Sequence, residues 1–292
     1  MTRLAVSLRF GIVCIAVQAM HSVQAAPVIT GVDVKYISDS NPAKAEFDRD
    51  IESSTAVQGR ITGSLFSLSL TDSPSIGSGL SGNVSASYEQ NGDIEGLGES
   101  RYRAGLGWFR EYKQRGGAPF YRVSVGAGYV DSETQIRDAV VLDATASLNL
   151  QFTQFFDNTF GTQVISSMAE TEVFDTTKLI LFTTANFSPF ARVVLRAGLR
   201  YVIGDEISTA TPTLPIVNHA KVIEADNAFG GLEEERFAYL IDANSAIVEF
   251  GIGYSVSAAI EGNLLYRYVD TSADGDIGYD RSMLEFTLSL SL

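Results

Sequence analysis

Large apolar and small polar residues alternate along most of this 292-residue chain. Its last residues, SMLEFTLSLSL, set the pattern out most plainly. Leu284, Phe286, Leu288, Leu290 and Leu292 fall on one face of an extended strand. Glu285, Thr287, Ser289 and Ser291 fall on the other, because strand side chains alternate with period two. The same alternation runs through YRVSVGAGYV (121–130), VLDATASLNLQF (141–152) and RVVLRAGLRYVI (192–203). In the last of these the arginines four apart would also suit a helix. Val193-Val194, Gly198 and the preceding Ser188-Pro189 favour a strand.

Taking such runs as strands and Gly/Pro/Asn/Asp clusters as turns predicts about twelve strands. They lie near 28–38, 57–70, 79–89, 100–112, 119–130, 138–152, 158–169, 177–188, 191–203, 240–255, 259–269 and 281–292. The phase break at Leu65-Phe66 predicts a bulge or a membrane-interface position. Connections alternate in length. The set 71–78, 113–118, 153–157, 189–190 and 256–258 is short, and 39–56, 90–99, 131–137, 170–176, 204–239 and 270–280 are mostly longer. The 204–239 connection shows no strand pattern and is expected to be a constriction or a recognition surface.

Five large apolar groups on one strand face need an oily cover. A sheet bathed in lipid must close on itself, because free backbone groups have no water to bond. The expected fold is therefore all-β, a transmembrane antiparallel up-and-down barrel of about twelve strands over residues 26–292. Its last strand is expected to pair with the first near VITGVDVKYI, with short turns on one side and longer loops on the other.

The N-terminus carries Arg3 and Arg9, an apolar run from about Phe10 to Met20, and small residues before Ala26-Pro27. This predicts a secretory signal peptide over 1–25, since the run is shorter than the roughly 20 residues a helical span needs. Cleavage would remove Cys14, the sole cysteine, so packing and hydrogen bonds alone must hold the exported fold. It would also remove Arg3 and Arg9 from the 21 basic residues, leaving 19 against 35 acidic, a net charge of −16. So acidic a chain is not expected to bind nucleic acid.

Taken together, the chain resembles Gram-negative outer-membrane β-barrel proteins of the porin-like kind. The terminal strand is similar to their targeting pattern, though it ends in Leu292 where an aromatic is usual. The resemblance implies an outer-membrane location, contact with membrane lipid and lipopolysaccharide, and passage of small solutes through a monomer. Barrels of this strand count include channels for acidic oligosaccharides and proteins linked to uptake of hydrophobic compounds, and no residue motif ties this chain to either.

Charge divides unevenly, the longer connections being acidic and the strands slightly basic. The polar strand faces carry Arg60, Arg101, Arg103, Arg122, Lys178, Arg192, Arg196, Arg200 and Arg267. Against them stand Glu89, Glu111, Asp143, Glu249, Glu261 and Glu285. The basic residues and Glu249 are the expected pore lining, with Arg192, Arg196 and Arg200 foremost because three cations on one strand face do not easily all pair locally. Structural salt bridges are the alternative for any one of them. The leading expectation is a narrow passive channel for small anionic or polar solutes, since twelve strands fall between a filled eight-strand barrel and an open porin. The alternative is a closed scaffold whose acidic loops bind divalent metal, lipopolysaccharide or a partner. Asp270, Asp274, Asp276 and Asp280, with Asp93, Glu95 and Glu99, are the loop acids concerned, and their spacing does not match an EF-hand.

Enzyme activity is not expected. His219 is the only histidine beyond the leader, and a hydrolase would need it beside a serine and a carboxylate such as Ser208 and Glu224. No phosphate loop, zinc spacing or dinucleotide fingerprint occurs, so no cofactor is expected. The GAG at 126–128 lies within a strand.

Overall fold

The computed structural model describes residues 28–73, 76–112, 119–233 and 235–292, and the expected leader at 1–25 lies outside them. Twelve long strands form one closed antiparallel sheet. They are β1 (Val28–Asp39), β2 (Ser54–Ser73), β3 (Ile76–Asn91), β4 (Glu99–Tyr112), β5 (Pro119–Ser132) and β6 (Ala139–Thr153). The circuit continues through β7 (Phe156–Ala169), β8 (Thr176–Phe190), β9 (Val193–Ala210), β11 (Phe237–Ser255), β12 (Ile260–Ala273) and β13 (Gly278–Ser291). Each pairs with its chain neighbour, β9 pairs with β11, and β13 returns to β1. The closing seam sets Val34 against Leu288 and Tyr36 against Phe286. The alternation that opens the sequence thus faces outward on both sides of the seam.

That outward face is apolar all round. Leu288 is 47% exposed and Phe286 50%, as are comparable Val, Leu, Tyr and Phe side chains on every strand. A contiguous apolar belt of that extent has no place in water, and the sheet leaves no edge for lipid to meet. Among the described residues no helix is long and apolar enough to span a bilayer. The protein is a transmembrane barrel.

The register slips between Ser64 and Phe66, where the phase of the sequence breaks. The largest departure from the sequence expectation lies in 204–239. β9 and β11 do not stop at the membrane. Pairing runs on from Gly204 opposite Ala243 to Ala210 opposite Phe237. Only 211–236 is a true connection, and it holds a short helix α1 (Leu214–His219) and a strand β10 (Val222–Ala225) paired to β11. The alternation is hidden there on β11, whose inner phase turns apolar while Glu206 and Ser208 keep that of β9 polar. Below, inward positions are polar and outward ones apolar. Above, Tyr239 and Ile241 point inward and are at most 1% exposed, while Asp205 and Asp242 point outward.

Candidate channel lumen and mouth

The inward face of the barrel wall is polar and charged. Starting from the residues, a chain of alternating charges runs across five neighbouring strands. Arg200 Nε of β9 lies 3.1 Å from Glu249 Oε2 of β11, and Arg267 Nε of β12 lies 2.8 Å from Glu249 Oε1. Arg267 Nη1 is 3.0 Å from Glu285 Oε1 of β13, and Lys35 Nζ of β1 is 3.2 Å from Glu285 Oε2. Both carboxylates are buried and each serves two cations. Three cations against two anions leave the chain one positive charge in excess.

On the strands that follow, Arg60 of β2 pairs with Asp33 of β1 at 2.7 Å, and Arg101 of β4 pairs with Glu99. Arg103 grips Asp143 with two parallel bonds of 2.8 and 2.7 Å. Arg103 belongs to β4 and Asp143 to β6, so the pair must lie across β5. Gly126 makes that possible, because a Cβ there would sit 2.4 Å from Arg103 Nη2 and 2.5 Å from Asp143 Oδ1. The GAG run is thus a floor for an ion pair. Arg60, Arg101 and Arg103 together border a cavity of about 240 Å³ with Gln58 and Ser85.

Three of the expected residues have no acidic partner among the described residues. Arg122 faces inward from β5. Arg196 is held only by the amide oxygen of Asn186, at 3.3 Å. Arg192 lies in the turn before β9 and not on the strand, and it borders a cavity of about 330 Å³ at the short-turn end with Glu261 and Ser289. The arginines at 192, 196 and 200 therefore do not act alike, since only Arg200 of the three pairs with an acid, Glu249, among the described residues. Near Arg122, Phe109 and Phe120 stack inward at 6.0 Å.

Lys178 takes part in a different structure, the roof of the barrel. The β1–β2 loop crosses the mouth and docks on β9, four strand positions round the barrel. Asn41 folds it, accepting from Ala45 N at 3.0 Å and donating to Ala45 O at 2.9 Å. Thr209 N then donates to Ala43 O at 2.8 Å, and Ser208 Oγ to Lys44 O at 2.7 Å. Lys44 so placed pairs with Glu206, which also accepts from Lys178 at 3.0 Å. Burial alone would raise the Glu206 carboxyl, but the two ammonium groups override it and hold it at about 2. Burial dominates at Lys44 and lowers it to about 8 against the attraction of Glu206.

The 211–236 connection closes the rest. Asp226 is fully buried; it accepts from Thr209 Oγ1 at 2.7 Å and pairs with Arg137 of the β5–β6 loop. The Arg137 guanidinium lies 4.7 Å from the Phe174 ring and 5.8 Å from that of Phe229. Arg236 binds Asp50 O at 3.1 Å and Glu52 at 2.9 Å, and Asp50 in turn accepts from Thr211. Beneath these polar ties lie two apolar clusters, one around Phe229, Tyr239, Ile241 and Ile277, the other around Val173, Phe174 and Leu240.

His219, Ser208 and Glu224 do not form a hydrolytic site. His219 Nδ1 bonds Pro215 O at 2.8 Å, the Ser208 hydroxyl is spent on Lys44 O, and Glu224 is exposed. Among the described residues no three or more His, Cys, Asp or Glu side chains gather in a group able to hold a metal ion.

Sequence comparison finds no matching protein family and no matching curated protein. Comparison of folds does find likenesses. An outer membrane channel from Pseudomonas putida F1 superposes with a TM-score of 0.52 at 12% identity, covering 92% of this chain and 97% of that one. The NanC porin follows with a TM-score of 0.47 at 10% identity, covering 89% of this chain and 100% of that one. The chain has the fold of an outer-membrane channel barrel. At such identity the likeness is one of architecture, and no residue role carries over.

Proposed function

We propose that this protein is an outer-membrane channel for small anionic or polar solutes, with the roof of loops as its constriction. The observation that carries the reading is the set Arg122, Arg192 and Arg196. They face the lumen or its short-turn end and lack acidic partners among the described residues. Unpaired fixed cations on a pore wall raise the local concentration of anions and exclude cations. A twelve-strand barrel has room for a narrow path and not for a wide one. The fold shared with an outer membrane channel supports the location and the class of activity.

The test is planar-bilayer conductance with a salt gradient. The reversal potential should favour anions, and Arg122→Glu with Arg196→Glu should move it toward cations. Cation selectivity of the unaltered protein would overturn the reading.

A second reading is favoured by the complete burial of Asp226 and Val173 in the roof. There the mouth stays shut and its acidic loops bind lipopolysaccharide or a partner. Replacing 212–235 by a short glycine linker separates the two. A constriction so removed should raise conductance severalfold. A recognition surface so removed should abolish lipopolysaccharide binding and leave conductance unchanged.

A further inference from the structure

We infer that the outward wall of β4 to β7 carries a site for one anionic phospholipid of the leaflet at the short-turn end, with its phosphate on Arg110. The inference requires only that the barrel spans a membrane, and it stands or falls independently of conduction.

Arg110 lies on the outward face of β4, opposite Tyr121. On the outward faces of the twelve barrel strands, the other charged side chains among the described residues are Asp131, Asp205, Asp242, Asp270 and Asp280. All five are acidic and stand at the long-loop end. Arg110 is thus the single cation of the lipid-facing wall there, and it has no acidic partner among the described residues. Its guanidinium is instead propped 5.0 Å from the Tyr112 ring, and Tyr112 meets Tyr121 edge-on at 6.0 Å. A cation held against aromatic faces at the edge of an apolar belt is positioned for a headgroup phosphate.

The wall beside it is hollow. Trp108, Val123, Leu148 and Phe160 stand round the small side chain of Ala146, and the groove they border has a volume of about 550 Å³. Trp108 and Val123 are cross-strand partners, as are Val123 and Ala146, so the hollow begins one outward row deeper than Arg110 and spreads sideways across β4 to β7. The first part of an acyl chain below a phosphate at Arg110 would lie in that hollow, against Trp108 and Val123. The protein as a whole is strongly acidic and would repel anionic lipid. Among the described residues of this wall, Arg110 is the one cation that can supply a preference for such lipid.

Trp108 is the only tryptophan in the chain and lines the groove, so its fluorescence reports on this site alone. The full-length barrel is reconstituted in phosphatidylcholine vesicles. Quenching of Trp108 is then compared for phosphatidylglycerol and phosphatidylcholine carrying dibrominated chains. Phosphatidylglycerol should be preferred about fivefold, the factor that one basic residue contributes at a membrane surface. Arg110→Gln should bring the ratio close to one, Arg110→Lys should keep most of it, and Ala146→Phe should weaken quenching by both lipids. High salt should reduce the preference of the unaltered protein, which tests the electrostatic origin even if a variant fails to insert. A ratio near one in the unaltered protein, or an unchanged ratio in Arg110→Gln, overturns the inference.

Discussion

Lys44, carried by the β1–β2 loop, reaches across the barrel mouth to Glu206 on β9. Glu206 is 7% exposed and has a second cation in Lys178. Removing its charge leaves two ammonium groups facing each other in a partly buried site. Glu206→Gln should destabilise the docked loop by roughly 3 kcal/mol, at the lower end for breaking a buried pair. Faster proteolysis within 40–53, with the barrel itself intact, is the expected readout.

The same cluster sets a pH dependence. The Glu206 carboxyl sits at about 2 in the folded protein and 4.5 unfolded. Its contribution to stability is complete above pH 4.5 and is lost as pH falls through 2. Lys44 sits at about 8 folded and 10.5 unfolded, so between these values the unfolded chain binds more protons. Stability of the roof should therefore rise with pH in both windows. Melting temperatures of the native protein and Glu206→Gln should converge as pH falls from 5 to 2, and Lys44→Met should flatten the alkaline rise.

Asp226 and Arg137 make the second tie of the roof, between loops 89 residues apart in sequence. Asp226→Ala would leave Arg137 charged between two aromatic rings with no counterion. A loss of about 3–5 kcal/mol is expected. Thermal unfolding followed by the heat-modifiable migration of the barrel would measure it.

Within the lumen, Glu249 holds Arg200 and Arg267 together. Glu249→Gln removes one negative charge and frees Arg200, with Arg267 still held by Glu285, without changing side-chain size. Anion preference in the reversal potential should increase, opposite in direction to the Arg122 and Arg196 substitutions.

Gly126 supplies a structural test of the wall. Gly126→Val places carbon where the Arg103–Asp143 pair now lies. The pair must lift into the lumen, and single-channel conductance should fall while the barrel still assembles.

The transmembrane part was legible because lipid enforces one rule at every strand. Leu284 to Leu292 announce it, and the short-turn and long-loop sides follow from counting. The wall cations were legible for the same reason, since Arg60, Arg103, Arg196 and Arg267 each occupy the polar phase of an alternating run. Their partners were not. Asp33 and Lys35 sit in the same phase of β1, but the pairings Arg60–Asp33 and Lys35–Glu285 depend on register and on closure of the sheet. The roof was least legible. Asp226, Asp50 and Glu206 read as solvated loop acids, and only their long-range partners Arg137, Arg236 and Lys44 make them interior residues. β11 begins only three residues before the expected strand, but the extension of β9 over 204–210 is not legible, because Asp205, Glu206, Ser208 and Thr209 are polar on both faces and only their partners on β11 and in the loops make them strand residues.

The seam between β1 and β13 is fastened at its upper end by Asp39 and Arg281, whose Nε lies 2.9 Å from both carboxylate oxygens. Directly beyond that clasp the chain enters the loop that carries Asn41 and Lys44, and Asn41 also donates to the Asp280 carbonyl of the final strand at 3.3 Å. The order of assembly follows from this. A sheet whose last strand has not yet arrived lacks the Asp39–Arg281 clasp and the Asn41–Asp280 bond that hold its first loop to the seam, so the roof is not fully fastened until the final hairpin zips home. Completion of the lid is then a timestamp for completion of the cylinder, and a protease added from above would tell finished molecules from those still threading into the bilayer.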